Sequence, residues 1–311
     1  MRNTFAQSIY DISREIDDVY VVVSDISPVG SIENFRREFP DQFVNVGVAE
    51  QAMIGLCSGL ALRGCCPFAY TIATFTAYRP FEHVRVELCY QNLPVTIVGM
   101  GAGVTYGTLG GTHHAQEDVA LMGSLPNMSI IAPCDPAETI AATWASARHS
   151  GPVYLRLGKA GEPDLTSQAP EPFEFGKLRL IKEGGDACIL SYGPIMSMAF
   201  DLAGKLEKEK GCSTSIMSAH TLKPLDKQRV SEVLDRYESV IVIEEHSVLN
   251  GLGAQVKQIA WDQGAHCDLR TFGLRDEFIH TFGSQEDIWR AHGLSVEQIY
   301  DRLKEKKATD R

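Results

Sequence analysis

With 311 residues, 44% of them hydrophobic and 22% charged, the chain has apolar material for two ordinary cores, since single domains most often hold about 100–150 residues. A formal net charge of −11 opposes a polyanion at long range, which sets nucleic acid aside as a partner. Eight cysteines without CxxC pairing, an amphipathic start at Met1-Arg2-Asn3-Thr4-Phe5 and no apolar run of about 18 residues predict a soluble cytoplasmic protein with reduced thiols and no membrane segment.

Phe5, Ile9, Ile12 and Ile16 recur at helical spacing, so an amphipathic helix opens the chain. Val19-Tyr-Val-Val-Val-Ser-Asp25 is apolar along most of its length, the pattern of a strand buried on both faces. The alternation then predicts helix over Ser31 to Phe39, strand near Phe43 to Val46, helix from Glu50 to Leu62 and strand from Pro67 to Ile72. A helix over roughly Ala77 to Tyr90 follows, then strands at Pro94 to Met100 and Ser129 to Ala132, and a helix from Pro136 to Arg148 with proline in its first turn. The last strand of this series is Val153-Tyr-Leu-Arg-Leu157.

Gly158 to Phe175 holds three prolines and no helical period, which marks a linker. Strands resume at Ala187 to Ser191, Ser213 to Met217, Ser239 to Glu244 and Cys267 to Thr271, with helical stretches between them. The fold class is therefore α/β, with two domains that each form a mostly parallel sheet flanked by helices. The boundaries are 1–160 for the first domain, 161–178 for the linker and 179–311 for the second.

Three stretches carry candidate chemistry. In Phe43-Val-Asn-Val-Gly-Val-Ala-Glu50-Gln51 a strand runs through a small-residue turn into a helix, which puts a carboxylate at the edge where open α/β sheets bind ligands. Position alone fits a helix-dipole carboxylate. Val44, Val46 and Val48 before Glu50, with Met53, Ile54 and Leu56 after it, predict a desolvated acid whose pKa is raised and which favours proton sharing. In Ala73-Thr-Phe-Thr-Ala-Tyr-Arg-Pro-Phe81, residues Phe75, Tyr78 and Phe81 stand three apart and are expected on one helix face. Such a stripe is core unless Glu50 faces the same cleft, where it would suit a flat heteroaromatic ring.

The glycine-rich segment from Gly99 to His113-His114 lacks GxGxxG spacing, and the chain has no GxxxxGK[ST], so dinucleotide and P-loop readings fail. A flexible loop ending in two histidines after a strand suits substrate contact and proton transfer. Metal binding is the weaker option, because no acid or cysteine stands at suitable spacing, and no metal ligand is assigned.

Taken in order, Ser24-Asp25, Val46 to Gln51, Ala73-Thr74-Phe75, Gln91-Asn92-Leu93-Pro94, Gly110 to His113, Leu125 to Met128 and Ala132 to Asp135 resemble the carboxyl-terminal part of a transketolase. Glu244-Glu245-His246 and Gly251-Leu252-Gly253 are similar to that family's terminal domain. The resemblance implies a thiamine-diphosphate enzyme in which Glu50 hydrogen-bonds N1′ of the aminopyrimidine. It also implies that Phe75, Tyr78 and Phe81 surround that ring, that Asp25 lies near the cofactor and that His113 contacts substrate hydroxyls as a catalytic residue. His114 is placed beside it in the substrate loop. The family's reaction moves a two-carbon ketol unit from a ketose to an aldehyde.

Family members of full length bind the diphosphate and a divalent metal through an amino-terminal Gly-Asp-Gly motif, which is absent here. The chain thus resembles the second subunit of a split transketolase, inactive without a partner that brings most of the Mg2+ site, and an α2β2 heterotetramer is expected. Leu109 stands where the family has an aspartate that reads an acceptor hydroxyl, Val29 where it has a sugar-phosphate serine, and Lys159 where it has a phosphate arginine. Arg2 and Arg156 are expected near that subsite. These departures point to an unusual acceptor, such as a modified, non-phosphorylated or nucleotide-linked sugar. The alternatives are a 2-oxoacid dehydrogenase β subunit and a non-catalytic regulatory subunit. Glu245 and His246 at a strand end are expected in helix capping and an interdomain hydrogen bond.

Overall fold

The computed structural model describes residues 1–26 and 32–305. Twelve strands occur among them: β1 (Val19–Val23), β2 (Phe43–Asn45), β3 (Cys66–Ile72), β4 (Thr96–Met100), β5 (Ser129–Ile131), β6 (Val153–Leu157), β7 (Arg179–Lys182), β8 (Ala187–Ser191), β9 (Thr214–Ser218), β10 (Thr221–Lys223), β11 (Ser239–Ser247) and β12 (Asp268–Leu274). They form a seven-stranded sheet in the order β10-β5-β6-β4-β3-β1-β2 and a five-stranded sheet in the order β12-β11-β8-β9-β7. All pairings are parallel except β10 with β5 and β7 with β9. The α/β class with two mostly parallel sheets is what the alternating pattern predicts.

Burial explains the strands. β4, β5, β6, β8 and β9 are buried at every residue, as strands covered by helices on both faces must be. Phe5, Ile9 and Ile12 of helix Arg2–Ile12 join Val19, Val21 and Phe68 on one face of the first sheet. On its other face, Met53, Ile54 and Ile97 belong to a cluster that runs on to Cys188, Leu190 and Val242 of the second sheet. The two sheets therefore share a core, where composition suggested one core for each. β10 adds to this union, since it lies beyond the linker in sequence yet pairs with β5 of the first sheet. All eight cysteines are free, and no helix among the described residues is long and apolar enough to cross a membrane.

The helix expected over Ala77 to Tyr90 is instead broken. A short helix covers Ala73–Ala77, the chain turns through Tyr78-Arg79-Pro80, and Phe81–His83 leads into a π-helical stretch, Val84–Tyr90. Pro80 has no N–H to donate and disfavours helical dihedrals at Arg79, which ends the first segment. A helix at Asp118–Gly123 and the short strands β7 and β10 were not foreseen, because each is too short to show a period.

Parallel order brings the strand ends together. The segments after β1, β2, β3, β4 and β6, which among the described residues hold every candidate except Arg2 and Arg156, emerge at one edge of the first sheet.

At the equivalent edge of the second sheet, Glu244 caps helix Leu252–Gln263 by accepting from Leu252 N (2.7 Å) and Gly253 N (2.8 Å). Burial pushes its carboxyl up to about 7 against the pull of those two N–H groups. A folded-state value above the ordinary 4.5 means the folded chain holds the proton more tightly, so stability is lost as pH rises from 4.5 through 7. The melting temperature of the wild type should therefore fall relative to that of Glu244→Gln across this window. Parallel melting curves would show that the buried charge carries no cost.

Candidate active site

Glu50 is the first residue of helix Glu50–Leu62 and is 3% exposed. Its setting is built by short-range bonds: Ser24 Oγ donates to Gly47 O (2.7 Å) and accepts from Ala49 N (3.1 Å), while Asn45 Oδ1 accepts from Gly47 N (2.9 Å) and Asp25 N (3.1 Å). These bonds fix the turn between β2 and the helix, with Gly47 in the left-handed region at φ +74°. The expected apolar wrapping differs in detail, since Val48 is 71% exposed and Leu56 also reaches the surface. Glu50 is instead covered by Arg79, whose Nη1 lies 2.9 Å from Oε1.

The Arg79 guanidinium also lies over the Phe75 ring, 4.1 Å from its centroid. Phe75 in turn meets the His113 ring edge-on at 5.3 Å, and His113 meets Tyr106 at 6.1 Å. Lys159 Nζ sits 4.8 Å from the Tyr106 centroid. Glu50, Arg79, Phe75, His113, Tyr106 and Lys159 thus form one continuous chain of contacts across the strand-end edge. His113 is half-buried, and its Nδ1 is 3.0 Å from Thr112 Oγ1.

The three expected aromatics part company because the helix breaks at Pro80. Phe75 joins the chain of site residues, whereas Tyr78 and Phe81 pack against the shared core. The Tyr78 hydroxyl donates to Glu117 Oε2 at 2.7 Å, and burial first, then the nearby Asp118 charge, raises its pKa. Asp25 stands exposed at the end of β1 with a left-handed backbone, φ 44°.

Arg2 and Lys159 come together: Arg2 N donates to Lys159 O (3.2 Å), and the buried Nε of Arg2 has no hydrogen-bond partner. Burial raises the Tyr106 pKa, opposed by the charge of Arg2. Leu109 is half exposed in the same loop. Val29 lies outside the described residues.

Two expectations are corrected. Arg156 is 2% exposed and cannot reach a sugar phosphate, because its Nε pairs with Asp118 Oδ2 (2.8 Å) and its Nη2 donates to Glu245 O (2.9 Å). His114, unlike His113, is buried, close enough to His292 of the second unit for their charges to oppose each other. Burial first, then the neighbouring His113, lowers its pKa, and neither ring nitrogen has a hydrogen-bond partner, so the ring lies in the interior and not open in the loop as expected. Arg79, Tyr106 and Ser24 were not singled out. Arg79 and Tyr106 lay within segments chosen for other residues, and no local pattern marks their partners.

The donor set fits the ring half of thiamine diphosphate, the cofactor implied by the family resemblance. Glu50 offers a buried carboxylate to a ring N–H, and Phe75 offers an aromatic face to a flat heterocycle. No group of three or more His, Cys, Asp or Glu among the described residues is placed to hold a metal ion.

Residues 1–161 match the pyrimidine-binding domain of transketolase and residues 176–299 match the transketolase C-terminal domain, so the chain belongs to the transketolase family. It is 33% identical to a putative transketolase C-terminal section of Methanocaldococcus jannaschii, over 98% of this chain and 95% of that one. It is 32% identical to one subunit of an apulose-4-phosphate transketolase of Phocaeicola vulgatus, over 96% and 94%. The solved structure of a split-gene transketolase, an inactive β4 tetramer, is similar at a TM-score of 0.86 and 33% identity, covering 97% of this chain and 96% of that one.

Arg156→Met would leave the wholly buried Asp118 without its counter-charge, and should destabilise the fold by about 3–5 kcal/mol in urea unfolding. A variant of near wild-type stability would instead restore Arg156 as a candidate for the sugar.

Proposed function

We propose that this chain is the pyrimidine-binding subunit of a two-chain, thiamine-diphosphate-dependent transketolase, which transfers a two-carbon ketol unit from a ketose to an aldose acceptor. The observation that carries this reading is the buried Glu50 carboxylate at a strand-end edge, linked through Arg79 and Phe75 to His113. The separate partner brings the diphosphate and Mg2+ groups, and an α2β2 assembly in the cytoplasm follows. This division is supported by relatives that are themselves a putative C-terminal section and a single subunit of a transketolase.

When bound, thiamine diphosphate supplies an activated ring carbon that accepts and releases the two-carbon fragment. The Glu50 carboxylate would accept the proton-sharing hydrogen bond of the pyrimidine nitrogen, where burial strengthens the bond. Phe75 orients the ring by contact with its face. Arg79 fixes Oε1 of Glu50 and neutralises its charge. His113 offers a ring nitrogen to substrate hydroxyls and moves a proton there. Asp25 borders the cofactor at the end of β1.

Arg2 and Lys159 offer a cationic end for an anionic group on the sugar, and the orphaned Nε of Arg2 is a donor in want of an acceptor. Leu109 offers no hydrogen bond where a hydroxyl-reading acid is expected, which favours an acceptor outside the ordinary pentose phosphates.

Glu50→Gln in the reconstituted two-chain enzyme should lower kcat by about 10²–10⁴-fold while the complex still assembles. Unchanged turnover would leave the chain as a scaffold. Lys159→Ala should raise KM for a phosphorylated acceptor by about tenfold or more and leave a neutral acceptor unaffected. Equal effects on both acceptors would remove the anion subsite.

A further inference from the structure

The loop from Gly101 to Glu117 carries His113 and is rich in glycine, so left alone it would hold many conformations. Its own domain restrains it at its two extremes, through Ala102 N to Leu157 O (3.0 Å) at one and Arg156 Nη2 to Ala115 O (3.5 Å) and the Tyr78 hydroxyl to Glu117 Oε2 (2.7 Å) at the other. Bonds within the loop, such as Ala115 N to Gly103 O (2.8 Å) and His113 N to Gly110 O (2.9 Å), shape its turns without anchoring it. The remaining anchors come from the second unit, across the shared core.

Glu245, 1% exposed at the end of β11, accepts from Val104 N at 2.8 Å. Gln285 donates through Nε2 to both oxygens of Glu245 (2.8 and 3.0 Å) and to Thr105 Oγ1 (3.1 Å). Gln285 is itself the first residue of a helix fixed by a capping box between Ser284 and Asp287. Further along, Gly283 N donates to Gly107 O (3.4 Å), and Ser247 N donates to Gln116 O (2.7 Å). Space is as tight as the bonding. A Cβ on Gly103, already at φ +64°, would stand 2.4 Å from the Glu245 carboxyl carbon, and one on Gly110 would stand 2.6 Å from the Phe282 ring.

We propose that the C-terminal unit sets the position of His113, with Glu245 and Gln285 as positioning residues that hold the glycine-rich loop at the angle at which the imidazole meets the sugar. This inference rests on the functional reading above, in which His113 contacts substrate. The bonds from the second unit converge on residues 104–107 and 116, on either side of the histidine, so the loop is held at both ends and His113 is presented between them. Small displacements of a positioned group reduce rate steeply, because a misplaced contact loses the near-attack geometry. The cofactor ring would meet Glu50 and Phe75 on other segments, which touch the loop only through the Phe75–His113 ring contact, so its affinity should change far less than the sugar's.

The test uses the full chain with its partner and compares Gln285→Ala, Thr105→Val, which cuts the same link from the loop side together with the Thr105 Oγ1 bond to Ala102 O (2.7 Å), and Tyr237→Phe. The last removes a hydroxyl bonded to Ser215 in the second unit and leaves the loop untouched. Gln285→Ala and Thr105→Val should each speed amide hydrogen exchange across residues 103–114. Each should also lower kcat/KM for the sugar by about tenfold or more, with the calorimetric Kd for thiamine diphosphate held within about twofold. Tyr237→Phe should change neither exchange in the loop nor kcat/KM. Unchanged exchange in both loop variants, faster exchange with unchanged kcat/KM, or an equal loss in Tyr237→Phe would each overturn the inference. A wild-type complex that binds no thiamine diphosphate and transfers no ketol unit would defeat the functional reading itself, and the exchange comparison distinguishes that failure because it needs no turnover.

Discussion

The pairing of Asp118 with Arg156 holds the parts of this chain in relation to one another. Both side chains are buried, and Asp118 Oδ2 also accepts from the Tyr154 hydroxyl at 2.8 Å, so the carboxylate is met by two donors from β6. The guanidinium continues to the backbone oxygen of Glu245 in the second sheet, which joins β6, the return of the glycine-rich loop and β11 at one point. Taking such a pair out of water costs free energy that apolar residues would not incur, and the return is geometric specificity more than stability. With this point fixed, Glu245 and His246 face the loop, and His246 Nε2 accepts from Ala120 N at 3.2 Å.

Around that anchor the strand ends bring together side chains of graded chemistry. At one side lies Glu50 with Arg79 and Phe75, suited to a flat ring that donates a hydrogen bond. At the other lie Tyr106, Arg2 and Lys159, suited to an anion. His113 stands between them, in edge contact with an aromatic ring from each side.

The glycines of the loop illustrate how the second unit enters this design. Gly103 is placed where a side chain would collide with the buried Glu245, so close approach between units, as well as backbone freedom, requires it, while Gly110 is required by its left-handed backbone, φ +75°. The sequence shows them as a flexible segment. In the folded chain they let the two units touch closely enough to take that flexibility away.

Much of the fold was legible in the sequence. Continuous apolar runs such as Val19–Val23 and Val153–Leu157 carry their burial in their own composition, and the strand, turn and helix around Glu50 place it at the sheet edge by local rules alone. The segments that hold most of the site, those of Glu50, Phe75, His113 and Lys159, could be picked out because each follows a strand of a parallel sheet. What the sequence could not decide was which charges meet. Arg79 pairs with Glu50 across 29 positions, Arg156 is claimed by Asp118 and not by the substrate edge, and His114 turns inward while His113 does not. Nor did a regular spacing of rings reveal that Pro80 would separate Phe75 from Tyr78 and Phe81. Local pattern fixes which face of an element is apolar, because that depends on periodicity within a few residues. The environment of an ionisable or aromatic side chain is a sum over neighbours brought in from distant segments, and only tertiary structure supplies them.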